Sequence, residues 1–267
     1  MGFFKNLWRG AASSPTLSAP VTSGCADFAV RLYENLAGKE VGKNLFVSPF
    51  SIQVALAMCA AGARGETRKV LADLIGAPDD AEEQNRQYTA LLKAVAGEGE
   101  RPYQFLTANA LWVQQGYRLK PAYQKTIADC YGGALNEVDF SSQPDEAVAT
   151  INSWVSDKTR AKITELVNRA VLDGALLVLT DAIYFKGKWA HEFAKARTTD
   201  EDWYGSHGTI QVPTMHRMDG YSYCEDGTFQ ALELFYKGGA LAMLIVLPWQ
   251  RDGLAALERQ WAVPGTY

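Results

Sequence analysis

One helix-length segment, residues 50–61, is apolar on nearly every side: Ile52, Val54, Leu56 and Met58 leave it no polar face. A helix of that kind cannot lie on a surface and must be enclosed by other elements. Its start is equally legible. Ser48 offers a side-chain oxygen to free backbone donors, and Pro49 suits a first turn, where the missing N–H is no loss. Gly62 and Gly65 mark its end. The fold must therefore be built around this helix. A chain of 267 residues hides about three quarters of its unfolded surface, which is enough to enclose it.

The surrounding pattern starts with helices. Phe28, Leu32 and Leu36 recur at helical spacing over residues 25–36, and further helices are expected at 66–75, 79–95 and 121–130. Residues 104–114 alternate around Phe105, Thr107, Asn109, Leu111 and Val113, a strand with Trp112 on its other face. A short strand is expected at 134–140. Pro144-Asp145-Glu146 opens a helix with Ile151, Trp154 and Val155 on its apolar side. Residues 176–185 form a nearly continuous apolar run, which predicts a strand buried on both faces. Strands at 209–212, 221–224, 231–236 and 240–247 follow, the last two joined through Gly238-Gly239 as a hairpin. A final helix at 252–261 has Leu254, Leu257 and Trp261 on one side. Helices first and antiparallel strands later predict an α+β fold. Residues 1–22, rich in Ser, Ala, Pro and Thr towards their end, read as a flexible leader to a domain over 23–267.

Composition excludes several functions. Hydrophobic residues at 48% and charged residues at 21% rule out a disordered chain. Twenty-six basic against 30 acidic residues leave a net charge of −4, with no general attraction for nucleic acid or anionic membrane. The longest apolar run, 240–247, is strand-sized rather than membrane-sized. Chemistry is equally sparse. The three histidines, His191, His207 and His216, and the four cysteines, Cys25, Cys59, Cys130 and Cys224, match no metal or redox spacing. No Gly-x-Ser-x-Gly elbow occurs, and residues 62–67 resemble a phosphate loop only superficially. No catalytic residue, cofactor or metal is expected. The conspicuous polar group is Asp181, inside the apolar strand, where an unpaired carboxylate would cost several kcal/mol. Ser48 and Ser51 are candidate partners. Simple capping by Ser48 and a tolerated strand aspartate explain the same residues.

Five ordered blocks then resemble the serpin family. They are residues 44–52 (Asn-Leu-Phe-Val-Ser-Pro-Phe-Ser-Ile) running on to 62–67, residues 109–113 with 117–121, and residues 138–140 with 151–155 and 162–163. The fourth is 181–189, Asp-Ala-Ile-Tyr-Phe-Lys-Gly-Lys-Trp, and the fifth 212–215 with 232–236 through 247–248. The resemblance implies helices packed on mixed and antiparallel β-sheets. It also implies a suicide inhibitor of serine endopeptidases, in which a cut reactive loop inserts into the main sheet. By the same resemblance Ser48, Ser51, Asp181 and Trp189 belong to the region where the sheet opens. Serine proteases are the implied partners.

Two departures qualify this. The family usually has Asn where this chain has Asp181, so sheet opening here is expected to respond to pH. The family's reactive loop and the strands flanking it lie beyond the segment where these residues stop. The chain is therefore expected to be an incomplete serpin fold at its carboxy terminus, not inhibitory as it stands, with exposed sheet edges open to self-association. The alternative is a non-inhibitory binding or structural protein on the same scaffold. Location stays divided: resemblance points to the extracellular space, while the first twenty residues hold no secretory apolar run, which points to the cytoplasm.

Overall fold

The computed structural model describes residues 19–39, 42–96, 101–205 and 208–261. Among the described residues four helices come first: α1 (Ala19–Lys39), α2 (Pro49–Gly62), α3 (Gly65–Ile75) and α4 (Ala81–Ala96). α1 starts at Ala19, so residues 19–22 are helical, with Pro20 in the first turn. The apolar helix α2 is enclosed as its sequence requires. Val54, Ala57 and Met58 pack with Phe28 of α1, Ile75 of α3, and Tyr88 and Leu91 of α4. Ile52, at 36% exposure in the first turn, is the exception.

The central sheet lies against α2. It consists of β1 (Tyr103–Gln114), β2 (Ala134–Val138) and β3 (Leu177–Gly187) in the order β2-β1-β3. β2 runs parallel to β1 and β3 antiparallel to it, so the sheet is mixed. The alternation on β1 divides two cores. Leu111 and Val113 join α2 and α5 (Pro121–Tyr131) on one face. Ala108, Ala110 and Trp112 join Ile151 and Val155 of α6 (Pro144–Lys158) on the other.

β3 corrects the expectation of burial on both faces. Only Thr180 and Ala182 are buried, while Leu176, Leu177 and Phe185 are each more than a third exposed. The apolar run is real, but among the described residues β3 has a neighbour on one side only.

α6 ends in a strained turn. Arg160 and Ala161 both adopt left-handed φ angles, 54° and 57°. The turn still satisfies the helix end: Ala161 N–H donates to the Ser156 carbonyl at 2.7 Å, the long bond of a Schellman cap. Arg160 lies 5.3 Å above the Tyr184 ring, whereas exposed Ala161 carries only a methyl against a steric penalty of about 1–2 kcal/mol. Ala161→Gly is expected to raise stability by about 0.5–1 kcal/mol, the relief exceeding the added chain entropy. An unchanged urea midpoint would refute the strain.

After the short α7 (Arg169–Leu172) and β3, the chain forms a hairpin of β4 (Thr198–Gly205) and β5 (Gly208–Met215). β4 is absent from the sequence reading because Thr-Thr-Asp-Glu-Asp shows no apolar alternation and every residue but the first is exposed. A third, antiparallel sheet, β6 (Ser222–Glu225), β7 (Phe229–Phe235) and β8 (Ala242–Pro248), carries α8 (Leu254–Trp261). Gly238 and Gly239, with φ of 95° and 71°, make the β7–β8 turn. Leu257 alone of the expected apolar face is buried; Leu254 is half exposed, and the Trp261 side chain lies outside the described residues.

Candidate functional site

Ser48 caps α2: its Oγ accepts from Ser51 N–H at 3.3 Å and donates to Ser51 Oγ at 3.0 Å. The capping role is thus structural, and it fixes Ser51, which is buried, on the side of α2 that faces the sheet. Across from it lies Asp181. Residues 179 and 181 share one face of β3, and Leu179 packs into the α2 core, so the Asp181 side chain points towards α2.

Asp181 is directly opposite Asn109 in the β1–β3 register. Asn109 Nδ2 donates to the Tyr131 carbonyl at 3.3 Å. Its Oδ1 and Asp181 Oδ1 are both buried without a hydrogen-bond partner. Burial is the main influence on the Asp181 carboxyl and pushes its pKa up to about 6; the Ser51 hydroxyl opposes the rise. Asn109 was legible only as the one amide on a strand face shared with Phe105, Thr107, Leu111 and Val113; its pairing with Asp181 depends on register, which short-range pattern does not reveal.

Trp189 lies elsewhere. It follows the end of β3 at Gly187 and forms an isolated antiparallel bridge to Tyr236. Its ring stacks on Tyr236 at 4.6 Å, and Phe185 meets the same Tyr236 edge-on at 4.8 Å. Lys237 N–H donates to the Lys188 carbonyl at 2.7 Å, and Ala190 N–H to the Phe235 carbonyl at 2.8 Å. This aromatic knot ties the end of the central sheet to β7. Gly187 is required there, since a Cβ would come within 2.7 Å of the Tyr236 ring. A cavity of about 290 Å³ beside the knot is lined by His191, Phe193, Arg217 and Tyr221. The eight residue steps from Asp181 to Trp189 span about 26 Å of extended chain, so Ser48, Ser51 and Asp181 form one cluster and Trp189 another.

His191 and His216 sit apart on the surface, near Asp219 and Glu201 respectively, and His207 lies outside the described residues. Among the described residues no three His, Cys, Asp or Glu side chains are grouped to hold a metal ion. No helix among them is long and apolar enough to cross a membrane.

A mixed sheet with a buried helix behind it, a helix across its front and a polar pair opposed on β1 and β3 is a specific arrangement. The family model for serpins, serine protease inhibitors, matches residues 23–263. The chain belongs to the serpin family. An uncharacterised serpin-like protein of Thermococcus kodakarensis is 38% identical over 229 residues, covering 86% of this chain and 53% of the relative. Antitrypsin of Bombyx mori is 31% identical over 261 residues, covering 96% of this chain and 65% of the relative. The structure of cleaved Serpin 42Da matches with a TM-score of 0.82 at 36% identity, over 89% of this chain and 64% of that one. The native stressed conformation of Arabidopsis AtSerpin1 shares the fold, with a TM-score of 0.85 over 95% of this serpin. This serpin chain spans about half the length of its Thermococcus relative. The expected α+β serpin fold on mixed and antiparallel sheets is the one observed.

Proposed function

We propose that this chain forms the sheet scaffold of a serine-protease inhibitor, with β3 as the strand beside which a cleaved loop inserts. One observation carries the reading: among the described residues β3 pairs with β1 alone, leaving its other edge open to a further strand. An added strand would satisfy that row of backbone groups and cover alternate side chains, which makes insertion downhill. Relatives named Antitrypsin and Antichymotrypsin-2 in Bombyx mori support protease inhibition as the class of activity. Serpins are generally inhibitors rather than catalysts, and we read this chain in the same way. The loop that a protease cuts is assigned, by resemblance, to sequence outside residues 23–263.

A synthetic strand-length peptide of alternating small and polar residues tests the scaffold. Mixed with the chain, it is expected to slow hydrogen exchange of the β3 amides; unchanged exchange at saturating peptide would sink the reading. Mixing the 267-residue chain with trypsin or chymotrypsin tests the loop assignment. No SDS-stable adduct is expected, and finding one would overturn the assignment.

A further inference from the structure

We propose that the cavity beside the aromatic knot is a binding site for a small quaternary ammonium ion, a free cation of the choline class. Its volume of about 290 Å³ lies at the small end of ligand pockets. Two of its rings form a corner: Trp189 and Phe193 have centroids 6.4 Å apart and planes at 75°. Tyr221 lines it as a third ring. Rings set at such angles offer negative π faces to a cation lodged among them, as in an aromatic cage. One of them already serves a cation, since the Arg217 guanidinium lies 5.7 Å from the Tyr221 centroid. Trp189 is held in place by Tyr236, on which it stacks at 4.6 Å, so little ordering is left for a ligand to impose.

The charges favour the same ligand. Arg217 is neutralised: it pairs with Asp219, and its Nη1 donates to the His191 carbonyl at 3.0 Å. Asp219 also lies 3.7 Å from His191 Nδ1. Glu233, half-buried on β7, lines the same cavity with no salt-bridge partner among the described residues. With His191 uncharged, the lining carries one negative charge in excess, which a monovalent cation balances.

Other ligands fit less well. A primary ammonium brings three N–H donors that need acceptors, and Asp219 is already engaged by Arg217 and His191. A methylated ammonium brings none, so ring faces and one carboxylate suffice. A neutral ligand would cost Glu233 its water and return no charge. A zwitterion would bring a second anion towards Glu233 and Asp219. The site needs no open sheet edge, so peptide addition to β3 and binding here stand or fall separately.

Saturation-transfer NMR on the ligand methyls, titrated into the 267-residue chain at about pH 8, above the ordinary histidine range, tests the site. Three ligands are compared: choline, its neutral carbon isostere dimethylbutanol, and phosphocholine, the head as a lipid presents it. Choline is expected to bind about tenfold tighter than either. Glu233→Gln is expected to weaken choline about tenfold and to leave the isostere unchanged. Phe193→Leu keeps an apolar wall but removes a π face, and should also weaken choline selectively. Equal affinity for choline and its isostere overturns the site, as does choline binding untouched by both variants. Tighter binding of phosphocholine than of choline overturns the free cation in favour of a lipid head. Should Glu233→Gln not fold, Phe193→Leu and the ligand comparison in the parent chain decide.

Discussion

Trp112→Ala is expected to lower the unfolding free energy by about 4 kcal/mol, more than most single changes to this chain. Trp112 is 1% exposed and sits where β1, β3 and α6 meet. Its ring packs edge-on against Trp154 of α6 at 5.6 Å. Its Nε1–H donates to Thr180 Oγ1 on β3 at 2.9 Å. Truncation would open a ring-sized cavity in a close-packed core, and Ala108, Ala110 and Ala182 of that core have no side chains to swing into it. It would also leave the buried Thr180 hydroxyl without its donor. Trp112→Phe separates the contributions: most of the packing survives and the hydrogen bond does not, so a loss of about 1–2 kcal/mol is expected. Urea unfolding followed by far-ultraviolet circular dichroism checks both. A Trp112→Ala loss below about 1.5 kcal/mol would mean that α6 is not seated on the sheet through this residue.

The same residues show what local pattern can and cannot reveal. The enclosed helix α2 was legible because an all-round apolar helix has only one place to go. The strand β1 was legible because its alternation assigns Leu111 and Trp112 to opposite cores, as found. Asp181 stood out as a polar break in an apolar run, yet nothing within ten residues of it named Asn109. That pairing is set by the antiparallel register between residues more than seventy positions apart. Burial of β3 was over-read for a related reason: an apolar run reports what a segment can tolerate, whereas its exposure depends on which neighbours stand beside it. Trp189 joined Asp181 by resemblance, but the extended backbone between them keeps their surroundings separate, one a polar pair and the other an aromatic knot. The hairpin strand β4 escaped because a strand paired on one side and wet on both faces has no need of alternation.

Least legible was the polar network behind α2, and it supports the second large expectation. Arg68 is 8% exposed, and no carboxylate neutralises it among the described partners. Its guanidinium donates to Gln84 Oε1 at 2.6 Å and to the carbonyls of Pro78 at 3.0 Å and Asp79 at 3.2 Å. Gln84, fully buried, turns its amide nitrogen to the Ala57 carbonyl and the Tyr131 hydroxyl, both at 2.9 Å. That hydroxyl donates in turn to Asn85 Oδ1 at 2.9 Å. Four helices are thus cross-linked through one side chain. Gln84→Leu would strip a buried cation of its shortest acceptor and leave the Ala57 carbonyl only the long contact from the Tyr131 hydroxyl, at 3.4 Å, as a side-chain donor. The expected loss is about 3–5 kcal/mol. Arg68→Met removes the cation itself and strands only acceptors, so its loss should be smaller, about 2–3 kcal/mol. Because the guanidinium no longer needs Gln84 once it is gone, the double variant should fall short of the summed losses by about 1–2 kcal/mol. Urea unfolding of the four chains measures that coupling directly. Strict additivity would mean that Arg68 and Gln84 each serve their helices independently and that the network does not join them.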